Sequence, residues 1–266
     1  MNKLQEKLLD ILKVYLEICD KLGLTYYLAN GSALGAEKYG GFIPWDDDMD
    51  VVMPREDYEI FCEKAPTYLP THMFLQNYKS DPSFPHFYSK LRDSNTAFVE
   101  KGVEHLDMNH GMFIDIFPLD GYPKCRISQK WLACKLRVMR VKQFCGFSVS
   151  QKLHHKVLRL LGYHKRTAKT LKKMEKTVRK FGTQTEYCCD YGDRQGKGCL
   201  PRSYYGEGRT VFFEGVKVLI PLQIDAYLTY KYGDWRADLP TEQKKSHHNV
   251  LFCDTEKSYT HYQNNL

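Results

Sequence analysis

Four acids crowd the stretch Trp45-Asp46-Asp47-Asp48-Met49-Asp50. Adjacent carboxylates repel one another, and a fold keeps such a group where a cation or bulk water compensates it. An acidic surface turn is the ordinary setting for three consecutive aspartates. Here residues 49–53 are mostly apolar and stop at Pro54, so they read as a strand. On a strand, Asp48 and Asp50 stand at i and i+2 and share one face, while Met49 and Val51 turn to the core. Two carboxylates roughly 7 Å apart at Cα suit one or two hard divalent ions. A third acid comes from Phe113-Ile114-Asp115-Ile116-Phe117. An aspartate among large apolar residues is costly to bury unless its strand face opens into a polar site. A hydrogen-bonded core aspartate is the alternative. Asp48, Asp50 and Asp115 are therefore the expected metal ligands and catalytic residues, with Mg²⁺ (or Mn²⁺) as the ion. Upstream, Asn30-Gly31-Ser32 breaks a strand-like run before a helix-like one. Gly31 lets a phosphate approach the backbone, and Ser32 with the helix N-terminal amides can hold its oxygens.

The elements that must position these residues follow from periodicity. Apolar residues recur at helical spacing over 3–22, and Gly23 follows as a C-cap. Strands are expected over 24–29, 49–53, 87–92, 97–100 and 112–117, the last closed by Pro118. Helices are expected over 33–39, 56–65 and 223–232. Glu214-Gly215 joins 211–213 and 216–220 as a hairpin, and the glycine-bearing 192–208 reads as a loop. Lys90 and Arg92, at i and i+2 on one strand, could neutralise a diphosphate; two solvated bases on an edge strand are the alternative.

Hydrophobic-Gly-Ser, then Asp-hydrophobic-Asp, then a later hydrophobic-Asp-hydrophobic strand resembles the nucleotidyltransferase superfamily. The longer string Asn30-Gly31-Ser32-Ala33-Leu34-Gly35-Ala36, with Gly41-Phe42-Ile43-Pro44-Trp45-Asp46-Asp47-Asp48-Met49-Asp50, resembles the LicD family of phosphocholine transferases, distant relatives of the fukutin-type ribitol-phosphate transferases. Lys90-Leu91-Arg92-Asp93 with Thr96, the run from Ile114 to Asp120, Tyr232-Gly233-Asp234, Pro240 and His247-His248 extend the match. It departs at Glu37-Lys38-Tyr39, where an Arg-His pair is expected, though Lys38 keeps a cation there. The resemblance implies an α+β, nucleotidyltransferase-like mixed sheet with flanking helices. Outside it, charge and helical apolar spacing mark a basic insertion of two or three helices, so the expected division is a catalytic core over 1–123, a basic helical insertion over 124–185, and a C-terminal part over 186–266 completing the core. The resemblance implies transfer of phosphocholine from CDP-choline to a hydroxyl of a cell-surface glycan precursor of the teichoic acid, lipopolysaccharide or capsule type. Gly31, Ser32, Lys38, Asp46, Asp47, Lys90, Arg92 and His248 are then the expected donor-binding residues. A polyol phosphate such as ribitol or glycerol phosphate is the alternative cargo.

Composition bounds the rest. The 266 residues are 42% hydrophobic and 14% aromatic, enough for a core, which excludes disorder. No window reaches about 18 apolar residues without charges, so no membrane span is expected. Residues 1–10 carry Lys3, Glu6, Lys7 and Asp10 and contain no signal-peptide core, so a cytoplasmic location is expected, peripheral at the inner membrane face. Nine cysteines, an odd number, suggest reduced thiols; zinc at Cys188, Cys189 and Cys199 has little support without a CxxC pair. Phe84, Phe87, Tyr88 and Trp45 are candidates to face a quaternary ammonium. The net charge of +7 hides an asymmetry: residues 124–180 hold 18 Lys and Arg against the single acid Glu175. No recognition motif points to nucleic acid. Trp131, Leu132, Leu136, Val138 and Met139 interleave with Lys130, Lys135, Arg137, Arg140 and Lys142, which favours an anionic membrane surface over a merely solvated helical cover. A non-catalytic anionic-surface-binding protein is the rival from another class.

Overall fold

A computed structural model of the chain describes residues 1–147, 157, 160, 167–192, 198–245 and 250–262. Helix α1 (Lys3–Leu22) starts at a capping box between Asn2 and Gln5 and ends at Gly23, whose φ of +64° suits a residue without Cβ. Its buried stripe from Leu8 to Cys19 packs on the sheet. Tyr15 meets Phe61 of α3 (Arg55–Lys64) with ring centroids 5.1 Å apart, so α1 and α3 share that layer.

The main sheet is built around one long strand. β1 (Tyr27–Leu28), β2 (Asp50–Pro54), β6 (Met112–Tyr122), β4 (Ser89–Asp93) and β3 (Met73–Gln76) lie side by side in that order. β7 (Tyr187–Asp190) adds to β6, and β8 (Cys199–Pro201) to β7. β2 and β6 run parallel; the other pairings described are antiparallel. β6 does not stop at Pro118 as expected. Asp115 N–H points to β2, donating to the Met49 carbonyl (2.8 Å), so even-numbered positions point the other way. The N–H that Pro118 lacks would face the gap between β4, which pairs as far as Ile116, and β7, which begins at Leu119. No ladder bond is lost, and the strand continues.

β5 (Ala97–Glu100) pairs with β11 (Val250–Asp254), and β9 (Arg209–Phe213) forms the expected hairpin with β10 (Val216–Ile220). The hairpin turn places Glu214 at φ +48° and Gly215 at φ +78°. α2 (Asn30–Tyr39) packs against β9 and α6 (Ile224–Tyr232). The basic segment supplies α4 (Arg126–Phe147) and α5 (Thr167–Val178). Leu132, Leu136, Met139, Leu171, Met174 and Val178 join Phe87, Cys189 and Tyr191 in a second, smaller core. Arg55 ties this unit down: its guanidinium, 3% exposed, pairs with Asp120 and reaches Glu175 of α5 at 3.5 Å.

β3, β7, β8 and β11 were not expected, and the loop over 192–208 contains β8 and a one-turn 3-10 helix at Arg202–Tyr204. Cys189 and Cys199, expected as reduced thiols, are joined as a disulfide where β7 and β8 set them directly opposite each other. That removes two of the three zinc candidates.

Candidate active site

The parallel register of β2 and β6 places Asp50 directly beside Asp115, and paired residues of neighbouring strands project to the same face. Both are largely enclosed, 8% and 7% exposed. The start of α2 holds Asp50 from behind. Asp50 N–H donates to Ser32 Oγ (2.8 Å), and Ala29 N–H donates to the Asp50 carbonyl (2.9 Å). Asn30 Nδ2 donates to Asp50 Oδ2 (2.9 Å) from a backbone φ of +47°, a region that asparagine tolerates better than most residues. Asn30 N–H donates to Tyr227 Oη (3.0 Å), and Asn30 Oδ1 accepts from Lys231 Nζ (2.8 Å). Lys231 lies 3.6 Å from Asp190 Oδ2, with both side chains buried. A continuous polar line therefore runs from Asp190 through Lys231 and Asn30 to Asp50.

Asp48 is not on the strand. β2 begins at Asp50, and Asp48 belongs to the segment leading into it, which Gln5 pins to α1 by donating to the carbonyls of Ile43 (3.2 Å) and Asp46 (3.1 Å). The expected i, i+2 strand pair is thus replaced by a loop acid beside a strand acid. The acids still form one electrostatic unit: desolvation first, then the charges of Asp50, Asp46 and Asp115, hold the Asp48 carboxyl well above the usual carboxylate range. Gly31 makes room for the group in an unforeseen way. A Cβ there would stand 2.7 Å from Asp46 Oδ2, so the bare α-carbon admits a carboxylate.

Lys90 opposes Asp115 in the antiparallel register with β4. Its Nζ lies 3.3 Å from Asp115 Oδ1, 3.3 Å from Glu100 Oε2 and over the Phe113 ring. Arg92 sits beside it, fully buried: it bonds Gln76 and the Gly111 carbonyl, lies 3.9 Å from the same Glu100 carboxylate and stands over the same Phe113 ring. Because β4 lies between β6 and β3, it is no edge strand, and neither base is solvated. Lys38 Nζ donates to the carbonyls of Trp235 (3.3 Å), Arg236 (3.0 Å) and Ala237 (2.9 Å), stapling the segment after α6 to α2. Asp47 is felt at Cys253 of β11, whose thiol is pushed up by burial, Asp254 and then Asp47. His248 lies outside the described residues.

The aromatic candidates divide. Trp45 packs with Tyr39 and under Lys244. Phe87 belongs to the second core. Tyr88 stacks on His86 (4.8 Å), lies 4.6 Å from Phe117 and meets Phe84 edge-on. Phe117 is two residues beyond Asp115 on β6, hence on the same face.

Among the described residues, no three His, Cys, Asp or Glu side chains converge as a ready-made ligand cage. The donor chemistry nevertheless fits a hard divalent cation. Asp46, Asp48, Asp50 and Asp115 offer only carboxylate oxygens, and the repulsion that adds to burial in raising Asp48 is what a bound cation relieves. Asn30 could have been noticed from its place before Gly31. Lys231, Asp190 and Glu100 carry no comparable local signal; distant chain segments bring them in.

Residues 23–145 match the family described as LicD/FKTN/FKRP, nucleotidyltransferase domain. The chain is 28% identical over 265 residues to the lipopolysaccharide cholinephosphotransferase LicD of Haemophilus influenzae, an alignment covering 90% of this chain and 92% of that protein. The chain is thus similar to LicD-family proteins, in the segment from 23 to 145 by the family's own pattern and over most of its length by the relative. The LicD match spans the start of α2, the acid segment, β4 and β6, and it reaches into α4. Lys231 and Asp190 lie beyond it.

Proposed function

We propose that this chain transfers phosphocholine from CDP-choline to a hydroxyl of a cell-surface glycan of the lipopolysaccharide type, releasing cytidine monophosphate. The observation that carries the proposal is the side-by-side placement of Asp50 and Asp115, with Asp48 and Asp46 in the same electrostatic group. The named activity of the Haemophilus influenzae relative supports the cargo. Asp48, Asp50 and Asp115 would hold Mg²⁺ or Mn²⁺, which supplies charge neutralisation to the diphosphate and its leaving group. The acceptor oxygen forms a bond to the choline-bearing phosphorus. The bond from that phosphorus to the bridging oxygen breaks, and its electron pair leaves with the nucleotide. The acceptor proton passes to a carboxylate or to water. Asn30 and Ser32 fix Asp50, and Lys90 holds Asp115 in place. The faces of Tyr88, His86 and Phe117 offer a quaternary ammonium the contact it prefers, since it has no hydrogen bond to give. The acceptor is lipid-linked and met at an anionic membrane surface.

A donor screen tests this. CDP-choline, CDP-ethanolamine, CDP-ribitol and CDP-glycerol are compared for nucleotide release with Mg²⁺ and a glycan acceptor. Release from CDP-choline above the others supports the proposal. Preference for a polyol donor overturns the cargo and leaves the reaction type; no release from any donor favours the non-catalytic alternative.

A further inference from the structure

α4 has two apolar faces. Leu132, Leu136 and Met139 turn inward to the smaller core. On the opposite side Ile127, Trp131, Cys134, Val138 and Val141 recur at i, i+4, i+7, i+11 and i+14, a stripe roughly 80° wide at 100° per residue. All five face solvent, Ile127 at 79%, Trp131 at 53% and Val138 at 49% exposure. By the same helical arithmetic, Lys130 and Arg137 border one edge of the stripe, and Lys135 and Lys142 the other. Lys135 Nζ stands 4.5 Å over the Trp131 ring. α4 contains six bases and no acid. The one acid of α5, Glu175, is turned inward to Arg55 and Tyr78. Between the two helices a groove of about 480 Å³ is lined by Lys135, Lys142, Lys169 and Lys173 with Val138 and Met139.

Packing α4 against the protein needs only its inner stripe. The outer one is apolar along its centre, cationic along both edges and free of acids, which is the cross-section of a helix lying in a lipid interface. Lysine and arginine stems can follow the apolar strip while their charged ends reach phosphates. A protein partner would have to present an acidic surface on both sides of an apolar ridge; an anionic bilayer does so at any point.

We propose that α4 lies flat in the interface of an anionic bilayer, with the stripe from Ile127 to Val141 among the upper acyl segments and the flanking bases on lipid phosphates. The inference rests on the proposed function only for where the acceptor is met, so the test uses vesicles without glycan or nucleotide. Flotation with phosphatidylcholine vesicles is compared with flotation when phosphatidylglycerol is included. The full chain should bind the anionic vesicles only, and binding should fall steeply with salt. Trp131→Ser with Val138→Ser should abolish it without changing the circular dichroism, since both side chains are solvent-exposed. Lys130→Gln, Arg137→Gln and Lys142→Gln together should weaken binding roughly a hundredfold, from the attraction of each base to an anionic surface. Equal binding to neutral vesicles, absence of binding, or full binding by the serine variant would overturn the proposal. A soluble dimer that the serine variant converts to monomer would overturn it in favour of a second copy on this face. Loss of transfer with intact flotation would refute the proposed reaction and leave this inference standing.

Discussion

Lys231→Met isolates the polar line behind the acid site. The side chain is 4% exposed, donates to Asn30 Oδ1 at 2.8 Å and lies 3.6 Å from Asp190, itself 1% exposed. The substitution keeps much of the apolar stem and deletes the charge. Asp190 then loses its cation in a buried setting, a change that typically costs about 3–5 kcal/mol. The Asn30 carbonyl loses its donor as well, a further loss of about 1–3 kcal/mol where the acceptor stays dry, although the two are coupled and do not simply add. A net loss of about 4 kcal/mol is expected from urea unfolding, a large part of the stability of a domain this size. Adding Asp190→Asn removes the buried carboxylate charge that Lys231 faced and should recover about half. The second consequence is functional. Asn30 Nδ2 holds Asp50 Oδ2 at 2.9 Å, and with Oδ1 released the amide is free to turn. Outer partners of metal-ligating groups typically matter by about 10–100-fold in affinity or activity. Mn²⁺ titration and transfer rate should therefore both fall by that factor in the double variant, whose fold is largely restored. Lys231→Arg should retain most of each. A loss below about 1 kcal/mol in Lys231→Met, with Mn²⁺ affinity unchanged in the double variant, would refute the line from Asp190 to Asp50.

Asp50→Asn and Asp115→Asn should each reduce transfer by at least about a thousandfold while thermal unfolding stays cooperative; near-normal turnover in either removes that residue from the ligand set. Gly31→Ala places a methyl 2.7 Å from Asp46 Oδ2 and should displace that carboxylate, lowering transfer about tenfold or more with little change in stability, read by activity beside urea unfolding. Asp120→Ala leaves the buried Arg55 guanidinium with Glu175 at 3.5 Å but without its closer carboxylate, and should cost about 3 kcal/mol by urea unfolding, with turnover of the folded enzyme near normal. Tyr88→Ala should raise KM for CDP-choline more than for CDP-glycerol, since it removes a ring face and no hydrogen bond the polyol needs; equal effects would detach the aromatic group from choline recognition.

Local signals carried much of the reading, and their reach set its limits. The α1 stripe, the Gly23 cap and the Glu214-Gly215 turn are short-range features, and the structure forms them within a residue or two of expectation. Asp48 misled because alternation along a strand was extended past the strand's first residue. Lys90 and Arg92 share a strand face, and alternation alone makes them equivalent. Which of them touches an aspartate depends on the register of β4 with β6, and that is a long-range property. Pro118 looked like a stop because a proline normally ends a ladder. The switch of partners from β4 to β7 at that residue is invisible from either side of it. Cys189 and Cys199, ten residues apart, became partners through the pairing of two strands that the local pattern did not show.

The acid site is assembled by three strand-level facts that act together. A parallel pairing fixes Asp50 next to Asp115. Ser32 Oγ accepts the Asp50 N–H at the entry of β2, so the start of α2 sets where that strand begins. Gly31 and Gln5 then bring the preceding loop close enough for Asp46 and Asp48 to join. Each device is cheap alone, yet together they bring four aspartates within electrostatic reach of one another, so that burial and their repulsion keep the Asp48 carboxyl well above the usual carboxylate range. Stabilisation spent on concentrating repulsion makes physical sense where a cation is to be bound. On this argument, Mg²⁺ should raise the unfolding temperature of the wild type and leave an Asp48→Asn, Asp50→Asn, Asp115→Asn triple variant unmoved, while that variant without Mg²⁺ should unfold at a higher temperature than the wild type without Mg²⁺. A triple variant that is less stable than the metal-free wild type would show that the carboxylates are satisfied by the protein itself, and the acid group would then be a structural network and not a metal site.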